Sequence, residues 1–356
     1  MSEELYRQLQ GRLDSYSLGF PATETGIEIA ILKKLFSQQD AQMFLCLSPG
    51  LEDPASLAQR LGRPTGEVTA ELEDMASRGL LFRLRKGETA RYAAVPFMHG
   101  LLEFQVKRLD PEVIALLEQY FEQGLHRAIA GVNGLFLRTV PIGKSITPEH
   151  HVAAFEDAHA ILAKNELIVV AECFCRKEKN LQGEGCQKPL EACFMFGSMA
   201  RYYLDNRMGR QVDVAEAIQI LERAQEEGLV TQPGTAQNPA GMCNCCGDCC
   251  GVLMAIKKHP KPAEIVFSNH QAAVTCASCS GCELCLERCQ MDAITMTSAG
   301  TAEIDLDRCI GCGLCVPTCA TEAIRLVAKP ETKRRTPPET SREQMMQMKQ
   351  ERDRSR

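Results

Sequence analysis

The pattern of apolar and polar positions divides residues 1–105 into helices followed by a hairpin. Apolar residues recur at helical spacing over four segments, 26–37, 41–47, 54–61 and 65–79. Two apolar runs, 80–84 and 91–95, then flank a turn at Lys86-Gly87 and predict a β-hairpin. Helices followed by a hairpin are the element order of a winged helix. We therefore expect residues 1–105 to form a winged-helix-like domain.

The charge on the fourth helical segment argues against DNA as a partner. It carries four acidic residues, Glu67, Glu71, Glu73 and Asp74, against Arg78. Phosphate contacts dominate DNA affinity, so an acidic helix in the major groove would be repelled. The hairpin is basic, with Arg83, Arg85, Lys86 and Arg91, which keeps DNA binding as the weaker alternative. We expect this domain to dock a protein partner instead.

Residues 106–165 read as a helical connecting segment. Apolar spacing predicts helices at 111–124 and 155–163, with an extended run at 138–142 between them. Three histidines stand near the second helix, namely His150, His151 and His159. None has a second ligand at metal spacing on the same helix, so we do not expect these histidines to bind metal.

Residues 166–255 change between strand and helix patterns. The run 167–171 is continuously apolar and predicts a buried strand, and helices are predicted at 193–205 and 214–227. We expect a cysteine-rich α/β central domain here. A basic linker that contains prolines leads into residues 265–328. For the whole chain we expect an α+β fold class with several domains.

Composition points to metal ligation. The chain has 356 residues and nineteen cysteines, eighteen of them after residue 170. Its formal net charge is −6, which gives no general attraction to nucleic acid. The first residues are polar, unlike a signal peptide, and no apolar run is long enough for a membrane span. A cysteine-rich chain of this kind suits the reducing cytoplasm, where thiols bind metal instead of pairing as disulfides.

Two runs of the form C-x-x-C-x-x-C-x-x-x-C lie between residues 279 and 319. This is the signature of a bacterial-type ferredoxin module with two 4Fe-4S clusters, in which the fourth cysteine of each run serves the other cluster. The first predicted ligand set is Cys279, Cys282, Cys285 and Cys319. The second is Cys309, Cys312, Cys315 and Cys289. The proline that usually follows the fourth cysteine is replaced by Gln290 and Ala320.

Nine further cysteines fall into two groups in the central domain. The first group is Cys173, Cys175, Cys186 and Cys193, and the second is Cys243, Cys245, Cys246, Cys249 and Cys250. Each group has enough thiolates for one more 4Fe-4S cluster, or the two could pool into one site, and structural zinc is the alternative. Basic residues follow the first C-x-C, namely Arg176, Lys177 and Lys179, and we expect them to offset cluster charge. Cys276 is left without an assigned role, and Cys46 fits a buried apolar residue.

The last segment, residues 329–356, is charged, punctuated by proline and without a core pattern, so we expect a disordered basic tail. Its methionines at 345, 346 and 348 give the alternative of a short partner-binding helix.

The chain resembles a family of 4Fe-4S dicluster ferredoxin-like proteins of anaerobic bacteria and archaea. The resemblance rests on the winged-helix opening, CFCRKEKNLQGEGCQKPLEAC, CNCCGDCCG and the paired ferredoxin runs, and it covers nearly the whole length before the tail. It implies cytoplasmic electron transfer with iron-sulfur cofactors.

These patterns predict an electron-relay subunit that passes single electrons to a partner oxidoreductase, and a non-catalytic carrier is favoured over an enzyme. Two alternatives stay open. One is a redox-sensing transcription regulator with the winged helix as its reader. The other is an oxidoreductase whose substrate-binding cluster sits at the CNCCGDCC segment.

Overall fold

The computed structural model describes residues 2–146 and 152–355, so His150 and His151 lie outside the described residues. Five helices and a two-stranded sheet form the N-terminal part. Their bounds are α1 Ser2–Asp14, α2 Ile27–Leu35, α3 Gln38–Cys46, α4 Pro54–Leu61, α5 Thr65–Ser77, β1 Phe82–Lys86 and β2 Thr89–Ala93. Helix α4 begins because the Asp53 carboxylate accepts the Ser56 N–H at 2.9 Å. The element order of a winged helix is therefore present, and the assignment to that fold class stays a prediction.

The basic hairpin is neutralised by helix α5. Glu73 binds Arg83 at 2.6 Å and Arg85 at 2.5 Å, and it also accepts the hydroxyl of Tyr92. Burial of Glu73 opposes its charge, but these three donors lower its pKa overall. Two of the hairpin arginines are thus committed inside the domain, which leaves less positive charge for a phosphate backbone.

The connecting segment has three helices, α6 Pro111–Tyr120, α7 His126–Ala130 and α8 Ala158–Ala163. It opens with a sharp kink over Phe97–Leu101, where His99 takes a left-handed conformation with φ 53° and ψ 41°. The predicted strand at 138–142 is an extended segment that lies between two parts of the chain. The Val140 N–H donates to Thr231, and the Ile142 N–H donates to the carbonyl of Cys312 at 3.0 Å.

The central part is built on one five-stranded antiparallel sheet with strand order β5-β3-β4-β7-β6. Its elements are β3 Ile168–Glu172, α9 Phe174–Leu181, β4 Glu191–Phe196, α10 Gly197–Asp205, β5 Gly209–Val212, α11 Val214–Glu226, β6 Val230–Pro233, β7 Gly241–Cys245 and α12 Gly251–Lys258. The expected α/β arrangement is wrong in this respect, since no described strand pair in this sheet is parallel. Cys193 also lies on a strand and not in a helix: Ala192, Phe194 and Phe196 alternate onto one buried face of the sheet, and Cys193 is buried on the other.

The N-terminal and central parts pack tightly against each other. The hydroxyl of Tyr202 on α10 lies 3.0 Å from the carbonyl oxygens of both Ala76 and Leu81. Its ring contacts Phe82 and Phe104, with centroids 5.2 and 4.3 Å away. Tyr202 is fully buried, so this contact is part of the core and not a loose domain boundary.

The C-terminal module contains two small antiparallel sheets around the paired cysteine runs. Its elements are α13 Pro262–Ile265, β8 His270–Val274, α14 Leu284–Arg288, β9 Ile294–Met296, β10 Ala302–Ile304 and β11 Ile324–Ala328. Strand β8 pairs with β11, and β9 pairs with β10. Glycine is required at 311, where φ is +68° and a Cβ would lie 2.1 Å from the carbonyl oxygen of His270.

The tail corrects another expectation. Instead of being disordered, it forms helix α15 Ser341–Ser355, which docks onto the N-terminal half of the chain. Gln344 donates to the carbonyls of Leu135 and Phe136 at 2.8 Å, and Met348 is 2% exposed. Arg352 donates to the carbonyl oxygen of Asp14. These partners lie more than 200 positions away, which is why the local pattern of a polar tail did not reveal them. None of the helices in the described part of the chain has the length and apolar character of a membrane span.

Candidate metal centres

Eight of the nine cysteines of the C-terminal module lie in two sets, each drawn from both sequence runs. Burial raises the pKa of the Cys285 thiol, and three neighbouring thiols raise it further, namely Cys282, Cys279 and Cys319. Burial likewise raises the pKa of the Cys315 thiol. Its neighbours Cys312, Cys309 and Cys289 raise it further. The structure thus places the fourth cysteine of each run beside the first three of the other, as the crossed assignment requires.

Backbone N–H groups point at the sulfur atoms of these sets. The N–H of Ala272 lies 3.4 Å from Cys309 Sγ, that of Ala293 lies 3.2 Å from Cys289 Sγ, and that of Ala302 lies 3.4 Å from Cys279 Sγ. Such donors stabilise thiolates and the clusters that they hold. Thiols grouped in fours and met by N–H donors therefore fit 4Fe-4S clusters.

Six of the nine central cysteines form a closed ring, which we call the six-thiol ring. Each side chain lies in hydrogen-bonding contact with two others, in the order Cys173, Cys175, Cys250, Cys245, Cys243, Cys193 and back to Cys173. The ring takes members from both sequence groups. The expectation of one site for each sequence group is therefore not met in space.

Sheet register and two helix starts build the six-thiol ring. Cys193 on β4 is directly opposite Cys243 on β7, and Cys245 follows two positions later on the same face of β7. Cys173 and Cys250 immediately precede α9 and α12, so the N-terminal ends of two helices converge on the ring. The positive ends of helix dipoles favour negative charge, which suits thiolates and an anionic cluster.

The direction of the pKa shift alternates around the six-thiol ring. The pKa is lowered for Cys173, Cys243 and Cys250, because each accepts hydrogen bonds from two neighbouring thiols. The pKa of each of the three donors is raised, and these are Cys175, Cys193 and Cys245. The six thiols therefore titrate as a unit, and a bound metal would displace the remaining protons.

The other three central cysteines form a separate set, the three-thiol site, composed of Cys186, Cys246 and Cys249. Their sulfur atoms lie within 4.8 Å of one another, and Cys186 Sγ is 3.8 Å from Cys246 Sγ. Burial raises the pKa of Cys246 and raises that of Cys249 to about 12. All nine central cysteines predicted as ligands thus belong to one of two adjacent sites.

A family comparison identifies the C-terminal module. Residues 278–323 match the model of the 4Fe-4S dicluster domain. The chain is an iron-sulfur protein of the ferredoxin-like kind over this module, and its many cysteines indicate iron-sulfur electron transfer. No curated protein and no solved structure matches the chain.

Arg176 lies between the two central sites. It is fully buried, and its guanidinium donates to the Asn244 carbonyl at 3.0 Å and stands 3.9 Å from Cys246 Sγ. Burial alone would lower its pKa, but the surrounding thiols, led by Cys173 and Cys193, raise it. Within the described residues its Nε and Nη2 have no hydrogen-bond partner. A buried cation with free donors fits anionic sites on both sides.

The two lysines that follow Arg176, Lys177 and Lys179, form ion pairs with glutamates instead of contacting the thiols. Lys177 pairs with Glu172 at 2.6 Å, and Lys179 pairs with Glu118 and Glu184 at the surface. Of the three basic residues predicted to offset cluster charge, only Arg176 therefore reaches the thiols.

Gln290, which replaces the usual proline, joins the dicluster domain to the central sites. Its Oε1 accepts the N–H of Gly247 at 2.7 Å, and its Nε2 donates to the Gly228 carbonyl at 3.2 Å. Gly247 follows Cys246, and Gln290 follows Cys289. One hydrogen bond thus connects the residue after a predicted cluster ligand to the loop of the three-thiol site, and the other connects it to the turn after α11. A proline could make neither.

The two cysteines without assigned roles lie apart from these sites. Cys276 is exposed at the start of the dicluster domain, and Cys46 ends α3 in a half-buried position against the main core.

Proposed function

We propose that this protein is an electron-relay subunit in which the dicluster domain exchanges single electrons with a further metal cluster in the six-thiol ring. Four-iron clusters supply one-electron transfer when bound. The chain supplies eight thiols in two crossed sets, N–H donors to their sulfurs, and six more thiols in the central sheet. The proposal places the protein in the cytoplasm, where thiols stay reduced.

The observation that carries this proposal is the link from Cys289 through Gln290 to Gly247, which follows Cys246 and the ring member Cys245. Tunnelling between redox sites depends on short, well-packed paths, and here the Gln290 side chain and one hydrogen bond of 2.7 Å join the two regions. Arg176 supports the same function, because its charge offsets the negative charge that each added electron brings.

The electron donor or acceptor would be a second redox protein. The N-terminal part is the candidate docking surface, since its acidic helix α5 neutralises the hairpin arginines and weakens the alternative of a DNA-reading regulator. That alternative predicts operator binding, which a mobility-shift assay with the full chain would detect.

Iron, acid-labile sulfide and zinc should be measured per chain on anaerobically purified protein. Twelve or more irons with matching sulfide are expected if the six-thiol ring holds a cluster beside two cubanes. About eight irons would restrict the redox function to the dicluster domain and refute the relay. Fewer than about eight in reconstituted protein would contradict the ferredoxin assignment itself.

A further inference from the structure

A cavity of about 230 Å³ opens beside the six-thiol ring. All six thiols of the ring contribute to one wall, and methionines, leucines and phenylalanines from the connecting segment, α10 and α15 form the others. One water takes up about 30 Å³ in the liquid, so this cavity has room for roughly eight waters. A cluster of eight core atoms on the ring would leave space next to it.

Most of the cavity lining is apolar, although it also includes charged side chains such as Glu172, Glu178 and Lys179. Glu103, His99 and Tyr203 border it close to the ring thiols Cys193 and Cys243. Glu103 is held in place by the N–H of Gly100 at 3.0 Å, and burial raises its pKa, which favours a protonated carboxyl. A protonated carboxyl can donate a hydrogen bond to a ligand.

The backbone is strained at His99, one of the residues that border the cavity. His99 has φ +53° although it is not glycine, and its ring stacks on Phe136 with centroids 4.1 Å apart. Such conformations cost free energy and persist where the surroundings enforce them, often at ligand sites. Here the kink brings His99 and Glu103 to the wall that faces the thiols.

We infer that this cavity binds a small, uncharged and largely apolar molecule against an open face of the metal cluster in the six-thiol ring, with Glu103 donating a hydrogen bond to an acceptor atom of that molecule. The predominantly apolar walls disfavour charged ligands, and the acidic side chains and negative thiolates of the lining disfavour anions further. The inference rests on the proposed function, because it requires a cluster in the ring.

The test uses two neutral isocyanides as probes of open iron, n-butyl isocyanide and methyl isocyanoacetate, which adds an ester acceptor. Each is titrated into the reduced, iron-loaded full chain and followed by electron paramagnetic resonance. A saturable change in the signal of the central cluster is expected, with the two dicluster signals unchanged. Azide, which is an anion at neutral pH, should produce no change at the same concentration.

Variants assign that change to the cavity. Met199→Trp and Leu102→Trp fill it from two different elements and should abolish the response while iron content stays that of the wild type. Met346→Trp is the matched control, since Met346 is 55% exposed on α15 and does not border the cavity. Glu103→Leu should weaken the ester probe about two- to tenfold relative to n-butyl isocyanide, and Glu103→Gln should restore it.

The outcomes separate this inference from the relay proposal. Twelve or more irons with no response to either probe would overturn the cavity site and leave the relay standing. About eight irons would overturn the relay, and the cavity site with it. A response that survives both tryptophan variants would show that the probes bind elsewhere and would also refute the site.

A second inference concerns the three-thiol site, and it rests on a different observation. In a tetrahedral zinc site the Zn–S distance of about 2.3 Å sets the sulfur–sulfur separation at about 3.8 Å. Cys186 Sγ and Cys246 Sγ are 3.8 Å apart, and Cys249 Sγ is within 4.8 Å of both. Among the described residues no other three candidate ligands gather so closely, and the eight thiols of the dicluster domain do not.

The geometry points to a single zinc ion on Cys186, Cys246 and Cys249, with its fourth position open to an exchangeable ligand. Three protein ligands and one open position are the arrangement of reactive zinc, whereas structural sites are filled by four. A cubane spreads its thiolates over separate irons and would need wider spacing than this set shows.

Zinc analysis and X-ray absorption at the zinc edge test this site. One zinc per chain is expected, with three sulfur neighbours at about 2.3 Å and one lighter atom. Cys186→Ser and Cys249→Ser should each remove the zinc while iron stays unchanged, and Cys276→Ser, at an exposed cysteine, should remove neither. Loss of about four irons instead of zinc from these variants would refute the assignment.

Discussion

Replacing Gln290 by alanine should weaken the contact between the dicluster domain and the central sheet. The side chain makes two hydrogen bonds, accepting from Gly247 at 2.7 Å and donating to Gly228 at 3.2 Å. Alanine removes both and leaves the partly buried Gly247 N–H without its acceptor. A buried N–H group without an acceptor costs about 1–3 kcal/mol, so the free energy of unfolding should fall by that amount.

The effect should appear in anaerobic thermal unfolding followed by circular dichroism. For a cooperative unit of about 150–250 residues, 1 kcal/mol corresponds to roughly 2–4 °C, so the apparent Tm should fall by about 2–12 °C. Gln290→Glu is the matched control, because it keeps an acceptor for Gly247 and loses only the bond to Gly228. Its Tm should lie between those of the wild type and Gln290→Ala.

The same variants test the role of this link in electron transfer. After rapid reduction of the dicluster domain, the central cluster should be reduced more slowly in Gln290→Ala than in the wild type. An alanine variant with unchanged Tm and unchanged rate would refute the idea that Gln290 joins the two regions. A fall in Tm with an unchanged rate would limit its role to stability.

Substitutions at three further positions address the metal sites. Gly311→Ala should lose one cubane, about four irons, because the Cβ of alanine would stand 2.1 Å from the His270 carbonyl oxygen. Metal analysis would show this loss, and a full iron content would contradict the steric argument. Arg176→Met should lower the reduction potential of the central cluster, since a buried positive charge favours the reduced state, and Arg176→Lys should recover part of it in a redox titration. Cys276→Ala should leave iron, sulfide and potentials unchanged; a loss of iron would assign this exposed cysteine as a ligand.

Local patterns in the sequence were enough to predict much of the chain. Helical spacing located α2 to α5 of the N-terminal part but missed α1, and the run 167–171 located the strand β3. The cysteine spacing of the dicluster domain was specific enough to predict the cluster type that the family comparison supports. In each case the information lies within a few neighbouring residues, where spacing alone decides the structure.

Contacts between distant segments could not be predicted in the same way. The six-thiol ring exists because β4 pairs with β7, which sets Cys193 opposite Cys243 across fifty positions of sequence. Nothing local to either cysteine encodes that register. The absence of a proline at Gln290 was visible in the sequence, but its partner Gly247 was not. Such an anomaly in an otherwise regular motif is the signal that could have marked the interface.

The docked helix α15 has a consequence for how the protein is made. Synthesis proceeds from the N-terminus, so α15 leaves the ribosome after every cysteine of the chain has already emerged. Until Gln344 and Met348 reach their partners, one wall of the cavity is missing and the thiols remain open to the surroundings. Metal ions can thus reach the thiols freely until the helix docks. The docked helix thus closes a wall of the cavity that the cysteine-bearing segments leave open.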